Sequence, residues 1–64
     1  MERFYTGGTE YVLDFSIRKG QYQICEILDD ETCDFNVVYS GNYADCQKHA
    51  ADIKARNADF DYDL

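Results

Sequence analysis

Sixty-four residues are enough for one small domain and leave no room for a second domain or a deep pocket. The chain is 45% apolar and 16% aromatic, too much for a disordered acidic tail, so it should fold. Thirteen acids against six bases give a net charge of -7, which argues against direct binding of nucleic acid or an anionic membrane.

Residues 2–6 are expected to form a strand, because the Gly7-Gly8 pair permits a hairpin that sets Phe4 opposite Tyr11. The alternative is a frayed start and a three-stranded sheet. From residue 10 to 19, Tyr11, Leu13, Phe15 and Ile17 alternate with Val12, Asp14, Ser16 and Arg18, the period of a half-buried strand. Lys19-Gly20 reads as a tight turn, followed by a strand over 21–28 with Tyr22 and Ile24 facing inward. Residues 18 and 21 would then face each other, setting Ile17 against Tyr22 and Phe15 against Ile24. Asp29-Asp30-Glu31 is a polar turn. A further strand over 32–39 would turn Cys33, Phe35, Val37 and Tyr39 inward.

Glu26 breaks this pattern, because strict alternation places it on the core face. Either a β-bulge near Cys25 turns Ile27 inward, or Glu26 lies beyond the helix edge and reaches water. A buried functional carboxylate is the third option.

Asn42 then caps a helix over 42–58, with Asp45 near the positive end of the macrodipole. Tyr43, Cys46, Ala50 and Ile53 share one narrow face, and small residues at its centre let the helix lie close on the sheet. The opposite face carries Asp45, His49, Asp52, Arg56 and Asp59. The tail, residues 59–64, alternates acid with apolar side chains, and Phe60 and Tyr62 are expected to pack on the domain or on a partner. The predicted fold is therefore α+β: a three- or four-stranded antiparallel meander with one C-terminal helix on one face. Its inward set is Tyr11, Leu13, Phe15, Ile17, Tyr22, Ile24, Phe35, Val37, Tyr39, Tyr43, Cys46, Ala50 and Ile53.

Catalytic patterns are absent. His49 is the single histidine, and its flanking Asp45 and Asp52 read as an acid–base ladder on a solvated helix face rather than a metal site. Asp29-Asp30-Glu31 with Asp34 lacks the Gly and terminal Glu spacing of a Ca²⁺ loop. No phosphate-binding glycine loop or nucleophile elbow occurs. The expectation is a protein that is no enzyme and takes no metal or other cofactor. No apolar h-region follows Met1-Glu2-Arg3, and no run approaches the ~20 apolar residues of a membrane span. Three cysteines, an odd count without a C-x-x-C pair, suit reduced thiols in a cytoplasmic protein.

Two surfaces remain as candidates. The acids gather in two runs that contain no Lys or Arg: Asp29, Asp30, Glu31 and Asp34, then Asp59, Asp61 and Asp63. Carboxylates on alternate strand residues repeat every ~6.8 Å, the order of phosphate spacing, and such an edge suits a basic nucleic-acid groove on another protein. Solubility alone is the rival explanation of the charge. The second surface is the outer sheet face, where Val12 and Ile27 are expected side by side, with Cys25 and Val38 nearby. It reads as a binding patch or a dimer seam, unless a terminal segment covers it.

A tiny, acidic, Tyr-rich β-meander closed by one Ala-rich helix resembles small proteins encoded by bacteriophages and mobile elements, among them anti-CRISPR and anti-restriction inhibitors. The resemblance rests on architecture and charge, with no family motif matched. Lys48, Lys54 and Arg56 make this helix less purely acidic than that of a dedicated DNA mimic. What the resemblance implies is an inhibitor, acting in the host-cell cytoplasm. It would block the basic groove of a nuclease, a CRISPR effector or another nucleic-acid-binding complex. The alternative is a small adaptor, subunit or homodimeric domain that uses the exposed sheet face.

Overall fold

A computed structural model describes residues 1–57 of the chain. Strands β1 (Glu2–Thr6), β2 (Thr9–Ser16), β3 (Gln21–Asp29) and β4 (Asp34–Gly41) form an antiparallel sheet in chain order, and helix α1 (Tyr43–Arg56) crosses one face. The fold is α+β, and the sheet has four strands. The tail residues Asp59, Phe60, Asp61, Tyr62 and Asp63 lie outside the described residues, as does the last residue expected in the helix.

The first hairpin forms because its turn has the right chemistry. Gly7 and Gly8 adopt φ of +60 and +78, the left-handed pair that a two-residue hairpin turn requires. Thr6 then pairs with Thr9 and Phe4 with Tyr11, as the sequence pattern implies. Stacking of the Phe4 and Tyr11 rings, 5.1 Å apart, reinforces this register on the helix side.

The second turn is longer than expected. Ser16 pairs with Gln21, so four residues, 17–20, make the turn, and the Gly20 amide donates to the Ser16 carbonyl at 2.8 Å. Phe15 therefore faces Tyr22, and Leu13 faces Ile24. Relative to the expected pairing the register moves by two residues, which leaves every side chain on its predicted face. The one casualty is Ile17. It continues the alternation in sequence, but it sits in the turn and is 89% exposed rather than inward.

A β-bulge in β4 changes the faces more deeply. Ile24 pairs with Tyr39, but the next residue, Cys25, pairs with Val37, so Val38 has no partner in the ladder. Tyr39 remains on the helix side. Val37 and Phe35 move to the outer face, against the expectation that both point inward, because one extra residue inverts the phase of everything before it. Val38 moves the opposite way and lines a groove with Tyr11, His49 and Ile53, so it does not belong to the outer face. The bulge lies beside Cys25, as one of the alternatives for Glu26 has it, but in the partner strand. Ile27 accordingly stays outward, and Glu26 stays half-buried on the helix side between Tyr11 and Asn36. Cys33, expected inward, is an exposed turn residue with φ of 61.

Asn42 caps the helix through its Oδ1 atom, which accepts from the Asp45 amide at 2.8 Å. Lys54 and Arg56 occupy the last turn, where the macrodipole favours cations. Cys46, Ala50 and Ile53 face the sheet and meet Leu13 and Ile24, with Phe4, Tyr11, Tyr22 and Tyr39 closing the margins. Burying a side chain such as Ile24 fully contributes about 1.5–3 kcal/mol. Tyr43, expected in the core, sits at its edge, 38% exposed, where its ring packs on Tyr22 and its hydroxyl donates to the Glu2 carboxylate.

Candidate functional site

The meander and the helix fix the two ends of the molecule. The β1–β2 and β3–β4 turns lie at one end and the 17–20 turn at the other. The helix runs back from the end of β4 and finishes beside Gly7, where Asn57 sits. The acidic run 29–34 therefore occupies the same end as the C-terminus of the helix, and Arg18 and Lys19 occupy the opposite end.

At the acidic end, Asp29 pairs directly with Asp34 across β3 and β4, with the exposed Asp30 and Glu31 in the turn between them. Asp29 Oδ1 accepts the Glu31 amide at 2.9 Å, which folds the turn back on itself. A second irregularity leaves Leu28 unpaired before this turn. Like charges placed opposite each other on a strand pair destabilise it. Among the described residues the ion pairs are Arg3–Glu10 and Arg56–Asp52, and neither reaches this cluster. The four carboxylates therefore crowd around a turn rather than forming a strand ladder with ~6.8 Å steps.

The outer sheet face is the second surface. Val12, Cys25 and Val37 form one row across three strands, and Ile27 pairs with Phe35 beside them. Phe35 is 54% exposed and Val37 37%, and no described element covers them. Val12 and Ile27 share this face as the alternation implies, although Val12 sits opposite Cys25 rather than beside Ile27. Gln23 Nε2 donates to Cys25 Sγ at 3.4 Å, and Arg3 bonds Glu10 at 2.9 Å on the rim. Burial, aided by the Asp14 charge, pushes the Cys25 thiol pKa up, so it stays protonated at neutral pH. Val37 and Phe35 were the members of this face that alternation alone missed. The Val37-Val38 doublet, two adjacent apolar residues in an alternating strand, was the available signal of a bulge.

Helix-side openings flank α1. One of them, about 510 Å³, is lined by Tyr11, Val38, His49, Ile53, Arg56 and Asn57. His49 is not on a fully solvated face, as its spacing suggests, but stacks on Tyr39 with ring centres 4.4 Å apart. Lys54 lies over the Phe4 ring at 4.9 Å on the other flank. Among the described residues no group of three or more His, Cys, Asp or Glu side chains is placed to hold a metal ion. No described helix is long and apolar enough to cross a membrane.

Comparison with protein-family models, with curated proteins and with solved structures finds no match to this chain.

Proposed function

We propose that this chain is a small acidic protein-binding inhibitor whose acidic end enters a basic nucleic-acid-binding groove of another protein. The partner class is a nuclease, a CRISPR effector or a similar nucleic-acid-processing complex, of the kind that phage-encoded inhibitors block. The observation that carries this reading is the Asp29–Asp34 pair with Asp30 and Glu31 between them, exposed and outside both ion pairs of the described residues. Within the chain this arrangement costs stability, which supports a role for it in a contact with external Lys and Arg. Charge steers such an encounter and acts chiefly on the association rate. Asp59, Asp61 and Asp63 extend the proposed acidic contact, and Phe60 and Tyr62 are its proposed anchors.

The test is capture from host lysate at low salt, followed by elution with duplex DNA or RNA. Nucleic-acid-binding proteins should be retained and then displaced by the added nucleic acid. Converting Asp29, Asp30 and Asp34 to Asn and Glu31 to Gln should slow association and flatten its salt dependence. Binding of this variant at wild-type rates at low salt would remove the acidic end from the reading.

A second reading, a small adaptor or subunit that binds through the outer sheet face, is favoured by the bulge that adds Phe35 and Val37 to Val12, Cys25 and Ile27.

A further inference from the structure

Among the described residues a single helix covers one side of the sheet, and an apolar sheet face is ordinarily buried against another layer. The described chain is a slab with principal extents of 39 × 29 × 15 Å, thin enough for one sheet and one helix only. Its uncovered side carries Val12, Cys25, Ile27, Phe35 and Val37 in one continuous patch. We propose that this outer face is a self-association surface, on which a second copy of the chain packs sheet against sheet about a two-fold axis.

Charge selects a second copy over a strongly charged partner. Although the chain as a whole carries -7, among the described residues this face carries Arg3 beside Glu10 and Asp14, and the Lys19 charge also acts on Cys25. With Arg3 paired to Glu10 of its own chain at 2.9 Å, this face carries little net charge, so two copies meet here with less repulsion than at the acidic end. The strong acidity lies elsewhere, at the 29–34 turn.

Area agrees. Four strands spaced about 4.8 Å apart and about 25 Å long present a footprint of roughly 500 Å² per copy. Two copies bury about 1,000 Å², the lower bound for a specific interface, so the dimer should be reversible. Sheet faces of this kind stack about 10 Å apart with side chains interdigitated.

Edge-to-edge pairing is the competing geometry, and both edges oppose it. β4 carries the bulge at Val38, while β1 is only five residues long and holds Glu2 and Arg3. The face remains as the route to association.

The bulge also supplies a sharp test, because it sends two adjacent valines to opposite sides of the sheet. In reducing buffer, which excludes cross-linking through the exposed Cys33, sedimentation equilibrium should show a species of twice the 7.4 kDa chain mass that dissociates on dilution. Val37→Asp and Phe35→Asp, each placing a charge in the seam, should weaken association by at least about 100-fold. Val38→Asp, on the helix side, should leave it unchanged. Higher salt should strengthen the dimer by screening the repulsion between two acidic chains, whereas binding through the acidic end weakens with salt. The two ideas therefore fail separately.

A wild-type chain that stays monomeric at all concentrations overturns the proposal. So does equal loss of association in the Val37→Asp and Val38→Asp variants, which would assign the contact to an edge or to the groove. If Val37→Asp does not fold, the wild-type dilution series read by amide NMR decides. Concentration-dependent shifts should centre on Val12, Cys25, Ile27, Phe35 and Val37, and shifts confined to the helix or the 29–34 turn reject the surface.

Discussion

Cys25 of β3 lies opposite Val37 of β4, one residue out of step with the Ile24–Tyr39 pair beside it. This single offset governs both faces of the sheet. It keeps Tyr39 over the core and stacked on His49, and it delivers Phe35 and Val37 to the outer face. Without it, Phe35 and Val37 would lie on the helix side and Val38 would replace them outside.

The β1–β2 turn and the helix end are locked together at Gly7. A Cβ built there would sit 2.7 Å from Asn57 Cγ, whereas one at Gly8 meets nothing within 4 Å. Both positions have positive φ, so Gly8→Ala should cost roughly 1 kcal/mol through backbone strain alone. Gly7→Ala adds the collision and should cost roughly 2–4 kcal/mol. In chemical denaturation the excess cost of Gly7→Ala should shrink by about 1 kcal/mol or more in an Asn57→Ala background. Equal costs at the two glycines would mean that the turn and helix do not touch.

Two isoleucines in the sequence pattern should behave in opposite ways. Ile24 is fully buried under Cys46 and Ile53, so Ile24→Ala should destabilise by about 2–5 kcal/mol. Ile17 protrudes from the 17–20 turn, and Ile17→Ala should stay within about 0.5 kcal/mol of wild type. Melting curves of the two variants measure this difference directly, and a large loss at Ile17 would restore the two-residue turn and the register that the sequence suggested.

Thiol chemistry should separate the three free cysteines. Burial raises the pKa of both Cys25 and Cys46, with Asp14 and Asp45 adding to the effect, while Cys33 stands exposed in the β3–β4 turn. A thiol-reactive disulfide reagent at neutral pH should label Cys33 rapidly and the other two only as fast as the fold opens. Mass mapping of the labelled sites checks this. Rapid labelling of Cys25 would show that its neighbours on the sheet do not cover it.

Tyr43 ties the start of the helix to β1 and should give the fold an alkaline signature. Its hydroxyl donates to the Glu2 carboxylate, and this bond, with the local desolvation and charge, raises its pKa above the ordinary tyrosine value. A raised pKa means that the folded state holds the proton more tightly. The stabilisation is therefore complete below the unfolded value of about 10 and is lost as pH rises through the folded one. Unfolding midpoints of wild type and Tyr43→Phe should differ by a constant amount up to about pH 10 and converge above it. A constant difference throughout would mean that the bond does not form in solution.

Much of the architecture was legible in the residues because it depends on local periodicity and local chemistry. Alternation from Tyr11 to Phe15, the Gly7-Gly8 hairpin with Phe4 opposite Tyr11, the Asn42 cap and the Cys46, Ala50, Ile53 stripe each follow from a few neighbouring positions. The acidity of residues 29–34 was equally plain, since composition carries charge without any fold. What only the tertiary structure decided was phase and azimuth. Val37 and Val38 are both apolar, so the sequence supports either phase, and the bulge is set by how β4 meets β3 under the helix. Ile17 extends the alternation past the end of β2, so where the strand stops depends on its pairing with β3. His49 lies three residues from Cys46, and whether it meets Tyr39 or water depends on how far the helix axis lies from β4. Periodicity specifies which residues share a face, but contact between elements sets where each face begins and what it meets.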